Sequence, residues 1–120
     1  MRNIKKSNEH LSALISELKK KAIETDVKLF KRIAIDLEKP IRNGRAVNLS
    51  RIDRYTKENE FIVVPGKVLG GGDLNHALTI AAYKFSSSAL GKINGSKSKA
   101  ITINDLMNGE IKGKRIRIIG

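Results

Sequence analysis

The sequence predicts an α/β protein, with N-terminal helices followed by short strands that alternate with further helices. Three observations predict it. Apolar residues recur at helical spacing from about residue 8 to residue 38, they gather into short strand-like runs from Glu60 onward, and cap or turn residues separate those runs. At 120 residues and 40% hydrophobic, the chain can build one modest core, so a single domain over 1–120 is expected, with a mainly helical, basic part at 1–59 and an α/β core at 60–120.

Leu11, Leu14, Ile15, Leu18 and Ala22 fall on one helical face. Ser7 or Asn8 can cap the first turn, and Lys19, Lys20 and Lys21 lie near the carbonyl end, which predicts a helix over about Asn8–Thr25. Asp26 is placed to cap a second helix, whose buried stripe is Leu29, Phe30, Ile33, Ala34 and Leu37 and which Pro40 stops. The segment Lys39 to Arg45 then joins Pro40, the turn pair Asn43 and Gly44, and the cations Lys39, Arg42 and Arg45 in a basic loop. Val47 to Leu49 reads as briefly extended. Ser50 can cap a short helix with Ile52 and Tyr55 on one side and Arg51 and Arg54 on another.

The strand-type runs are Phe61 to Val64, Leu78 to Tyr83, Ala100 to Ile103 and Arg115 to Ile119. Between them, Ser86 to Ile93 can cap and form a helix, and Thr102 or Asn104 can start another that runs through Leu106 and Met107 and ends at Gly109. The tract Asn94 to Lys99, rich in Gly, Ser and Lys, reads as a loop that orders only on binding.

Charge is the dominant anomaly: 24 Lys and Arg oppose 12 Asp and Glu, a net of +12. Residues 1–60 carry 15 basic against 9 acidic side chains and residues 61–120 carry 9 against 3, so each half is +6. That self-repulsion is relieved against a polyanion, where release of condensed counterions drives binding, so a nucleic acid is the expected partner. The apolar runs are far too short to span a bilayer, and Met1 to Lys6 is polar and basic, unlike a secretion signal; a cytoplasmic protein is expected. The lack of cysteine removes disulfides, thiolate catalysis and Cys-ligated zinc.

The most distinctive string is Val63-Val64-Pro65-Gly66-Lys67-Val68-Leu69-Gly70-Gly71-Gly72-Asp73-Leu74, in which glycines clear side chains from a bend after a strand. Backbone amides there can approach a phosphate, and Lys67 can add a contact. A nucleotide-binding P-loop would need Ser or Thr after Gly-Lys, whereas Val68 follows Lys67. Asp73 and His76 have acid–base spacing, but no nucleophile motif accompanies them and His76 reads as a surface residue. His10 has no second histidine one turn away to hold zinc, and Ser86, Ser87 and Ser88 read as a helix cap and first turn. No cofactor, catalytic residue or small-molecule substrate is expected.

Arg42, Arg45, Arg51 and Arg54 crowd one short segment together with Asn48, and guanidinium groups grip phosphates at two points at once. Aromatic residues are few: Phe30, Tyr55, Phe61, Tyr83 and Phe85. Phosphate and sugar contacts to an already folded RNA are therefore expected to outweigh base stacking.

The stretch Val64-Pro65-Gly66-Lys67-Val68-Leu69-Gly70 resembles the central signature of the archaeal and eukaryotic large-subunit ribosomal protein eighteen-e family, related to bacterial large-subunit ribosomal protein fifteen. Val47-Asn48-Leu49-Ser50-Arg51-Ile52, the stretch Ala81 to Ile93 with Phe85-Ser86 and Ala89, and the ending Arg115-Ile116-Arg117-Ile118-Ile119-Gly120 agree with it. Ile41 and Gly44 stand where that family usually carries cations. The resemblance implies irregular β-β-α turns wound as a superhelix behind N-terminal helices. It also implies a structural, non-enzymatic role on 23S-type ribosomal RNA, among neighbouring ribosomal proteins and without an obligate homo-oligomer. It implies RNA contacts at Arg42, Arg45, Asn48, Arg51, Lys67, Gly70 and Gly71; charge placement adds Arg54, Lys112, Lys114, Arg115 and Arg117. The competing expectations are a basic DNA-binding chromosomal or regulatory protein and, more remotely, a phosphoester enzyme using Asp73 and His76. Acids such as Glu17, Glu24, Asp36 and Glu38, interleaved along the helices, argue against a DNA recognition helix.

Overall fold

The computed structural model describes residues 2–38, 46–109 and 115–119, and the chain divides into two compact units, residues 1–41 and 42–120. The first unit pairs α1 (Arg2–Thr25) with α2 (Lys28–Glu38). α1 starts at Arg2, not near Asn8, because neither Gly nor Pro stands before Thr25 and the added residues include the good helix formers Arg2, Lys5 and Lys6. Asp26 does not cap α2. Its φ of +58° is in the left-handed region that Asp tolerates better than most residues, and it makes the reversal between the helices. Leu14 and Leu18 of α1 and Phe30, Ile33, Ala34 and Leu37 of α2 are buried, the spacing expected of two facing stripes. An ion pair between Lys19 and Glu38 at 2.8 Å ties the open end. The basic loop from Lys39 to Arg45 lies outside the described residues.

The second unit runs β1 (Ala46–Asn48), α3 (Leu49–Tyr55), β2 (Phe61–Leu69), β3 (Thr79–Phe85), α4 (Ser87–Gly95), β4 (Lys99–Thr102), α5 (Ile103–Asn108) and β5 (Ile116–Ile118). The five strands form one sheet in which every adjacent pair is parallel. β2 is central: β3 follows one of its edges, while β5 beside Phe61–Val63 and β1 beside Lys67–Leu69 share the other. Parallel neighbours require crossovers. α3 makes the one from β1 to β2 and α4 the one from β3 to β4, but residues 70–78 join β2 to β3 without a helix.

Both sheet faces are covered, as parallel sheets require. On one, Val47, Ile62, Val64, Val68, Ile80 and Ala82 pack with Leu49 and Ile52 of α3 and Ala89 and Ile93 of α4. On the other, Val63 and Ala81 are fully buried and α5, with Ile103, Leu106 and Met107 inward, lies against β3 and β4.

β2 continues past the expected end at Val64, through Pro65. From Val64 to Lys67 it spends three residue steps where β3 takes two, from Ala82 to Lys84. This bulge absorbs a proline that has no N–H to give to the ladder. The caps at Ser86, which accepts from the Ala89 amide at 3.1 Å, and at Thr102, which forms a reciprocal capping box with Asp105, fall where the sequence predicts them. The tract Asn94 to Lys99 is bonded into the fold instead of being a free loop: the buried Ser98 hydroxyl accepts from the Leu78 amide at 3.0 Å, and Ser96 donates to the Ile93 carbonyl at 2.9 Å.

Candidate nucleic-acid interface

At the carboxyl ends of β1 and β2 the chain makes two turns against each other. Asn48 occupies the N-cap position of α3, a place expected for Ser50, yet its side chain caps nothing. Its Oδ1 accepts instead from the Gly71 amide at 3.0 Å, and the Ser50 amide donates to the Gly71 carbonyl at 2.9 Å. Both backbone groups of Gly71 are thereby held internally.

The three consecutive glycines are set by close packing. A Cβ at Gly70 would lie 2.2 Å from Ser88 Oγ, one at Gly71 2.5 Å from Asn48 Oδ1, and one at Gly72 2.5 Å from Ser50 Cβ. Only Gly72 has a positive φ, +84°. Lys92 of α4 closes the turn from outside: its ammonium donates to the Gly70 carbonyl at 2.8 Å and the Gly72 carbonyl at 2.7 Å and stands 3.7 Å from Asp73. Asp73 thus pairs with Lys92, not with His76.

His76 is not a free surface residue. Its ring sits between Thr56 Oγ1, 2.6 Å from Nε2, and Asp53 Oδ1, 3.4 Å from Nδ1. Asp53 also accepts from the Asn75 amide at 2.8 Å and the Asn75 side chain at 2.9 Å. The backbone amide of Asn75 is the main reason that the Asp53 carboxyl is held below its ordinary value of 3.8; partial burial opposes this, and the Asn75 side chain and the charge of His76 reinforce it. These bonds lash the β2–β3 connection to α3.

Around this frame the cations stand outward. Lys67 is exposed in a strand otherwise mostly buried, and its register partner across the ladder is Lys84, also exposed. Neither has an acidic partner among the described residues; Lys84 has only the Tyr83 ring, 5.5 Å from its ammonium. α3 leads away from this end of the sheet. Its first turn carries Arg51 and its last Arg54, and at its end the Tyr55 carbonyl accepts from Arg117 of β5, whose guanidinium is also 3.5 Å from Glu60. Arg117 is in register with Ile62, so it sits about 16 Å along β2 from Lys67 at about 3.3 Å per residue.

Of the residues singled out from the sequence, Asn48, Arg51, Lys67, Gly70 and Gly71 are therefore brought together at one end of the sheet. Arg54 and Arg117 lie toward the other end, joined to the first group by α3, and Arg115 is exposed just before β5. Arg42, Arg45, Lys112 and Lys114 lie outside the described residues. Lys84 and Lys92 are not legible as site residues from the sequence, since only strand register and the path of α4 reveal their neighbours. Among the described residues no helix is long and apolar enough to cross a membrane.

Comparison with known proteins accords with this geometry. The model of the family of ribosomal proteins 50S-L15 and 50S-L18e and their 60S counterpart, protein twenty-seven-A, matches residues 10–101. Large ribosomal subunit protein eL18 of Methanoregula boonei is 44% identical over 118 residues, which cover 98% of each chain. Its counterpart in Methanospirillum hungatei is 43% identical over 95% of this chain and 94% of its own. The one in Methanothermobacter thermautotrophicus is 39% identical over 99% of this chain and 98% of its own. Matched by that family over most of its length and by these relatives almost end to end, the chain belongs to the ribosomal protein family of 50S-L15, 50S-L18e and their 60S counterpart.

Proposed function

We propose that the chain is a structural constituent of the large ribosomal subunit, where it binds folded 23S-type ribosomal RNA and stabilises its packing beside neighbouring ribosomal proteins. Both compact units serve as one RNA-binding domain in this reading. The observation that carries it is the Lys67–Lys84 pair, two exposed cations in register with no acid to separate them among the described residues. Like charges opposite each other weaken a free sheet, and a phosphate lying across them turns that repulsion into attraction. Asn48, Gly70 and Gly71 shape the adjoining turn; Arg51 and Arg54 extend the cationic face along α3. Arg42, Arg45, Lys112, Lys114, Arg115 and Arg117 complete the proposed contacts.

The test is binding of the purified chain to a large-subunit ribosomal RNA transcript across a series of potassium chloride concentrations, with duplex DNA as competitor. Several phosphate contacts predict a steep linear fall of log affinity with log salt, and structured ribosomal RNA should outcompete duplex DNA. Equal affinity for both would overturn the reading in favour of non-specific nucleic-acid binding.

A further inference from the structure

Tyr55 is the one exposed aromatic side chain among the described residues, at 51% relative exposure in a chain with only 4% aromatic residues. An exposed ring is usually mobile, but this one is held. Its backbone carbonyl takes the Arg117 guanidinium, and one residue later the Thr56 hydroxyl donates to the Ile52 carbonyl at 2.7 Å, fixing the end of α3. The Arg51 guanidinium lies over the ring, 5.3 Å from its centroid. A planar cation on an aromatic face is a stacking partner in its own right.

We propose that Tyr55 and Arg51 form a stacking platform for one unpaired nucleobase of the RNA. The inference rests on the ribosomal RNA reading above and deepens it by naming what this part of the surface takes. Two features favour a base over an apolar protein side chain. Arg51, Arg54 and Lys57 surround the ring with positive charge, and the acids nearby are engaged elsewhere: Asp53 by Asn75 and His76, Glu60 by Arg117 and the Lys57 amide. The platform is also preorganised, so a splayed base ordering on it loses its own freedom without immobilising a protein side chain as well.

The test uses the full chain bound to the large-subunit RNA transcript. Tyr55→Leu removes the ring at an exposed position and should weaken binding about tenfold while leaving the slope of log affinity against log salt unchanged, since no phosphate contact is lost. Tyr55→Phe should recover most of that loss. Ultraviolet crosslinking with mass spectrometry should find a nucleotide adduct on Tyr55. If the unaltered chain fails to bind the RNA at all, the function proposed above falls, and this inference with it. If the chain binds and Tyr55→Leu binds as tightly, or if Tyr55 crosslinks in intact subunits only to a protein neighbour, the platform alone is overturned.

Discussion

The amide of Gly71 donates to the side-chain oxygen of Asn48 at 3.0 Å, joining the end of β1 to the turn that leaves β2. The same oxygen is the atom that a Cβ at Gly71 would strike, at 2.5 Å. Gly71→Ala must therefore displace the hydrogen bond that Asn48→Ala would delete. Each single change should cost about 1 kcal/mol, and the double variant clearly less than their sum, because both remove one interaction. Urea unfolding of the four proteins in this cycle checks it; strict additivity would show that the two residues act independently.

Neighbouring glycines should respond in opposite directions. Gly72 has φ at +84°, and a Cβ there would come within 2.9 Å of Ser50 Cα and 3.0 Å of its nitrogen, backbone atoms that cannot swing aside. Gly72→Ala should destabilise by about 2 kcal/mol or more. Gly91 is exposed within α4 and has nothing within 4 Å of its would-be Cβ, so Gly91→Ala should stabilise by about 0.5 to 1 kcal/mol. Denaturation midpoints measured side by side would settle the pair, and a stabilised Gly72→Ala would contradict the packing described.

Local devices are legible in the sequence and long-range ones are not. Ser86 and Thr102 are caps satisfied by an amide three residues on, so the string that names them also contains their partners. Asn48 and Ser50 look interchangeable as caps until the turn 23 residues beyond Asn48 claims its side chain. Pro65 reads as the end of a strand because the bulge that accommodates it depends on the register of β3. His76 reads as a surface group because its partners, Asp53 and Thr56, belong to a different element. Lys84 is silent for the same reason: nothing near it in sequence announces that Lys67 lies alongside.

Acid should loosen the β2–β3 connection through Asp53. Its carboxyl sits below the ordinary 3.8 in the folded chain, chiefly because the Asn75 amide donates to it. A depressed carboxyl pKa contributes stability that is fully present above the unfolded value, about 4, and is lost as pH falls through the folded value. Asp53→Asn should therefore be less stable than the unaltered chain near neutrality, and the gap should shrink as pH drops below about 4. Chemical denaturation at a series of pH values gives the comparison; a gap that stayed constant into acid would show that ionised Asp53 carries none of it.

The Lys67–Lys84 pair makes a prediction that separates function from stability. Removing one charge from a cross-strand pair of like charges should leave the free sheet as stable as before, or more stable by a few tenths of a kcal/mol. Lys67→Gln and Lys84→Gln should thus melt at or slightly above the temperature of the unaltered chain. Each should nevertheless weaken binding to the ribosomal RNA transcript and reduce the salt slope by about one, because each deletes one phosphate contact. The two side chains are register partners, so a single phosphate can lie across both, and the double variant should then lose less affinity than the product of the single losses. A melting temperature that fell with unchanged RNA affinity would mean that the lysines serve the sheet and not the RNA, the opposite of what their exposure and lack of an acidic partner among the described residues imply.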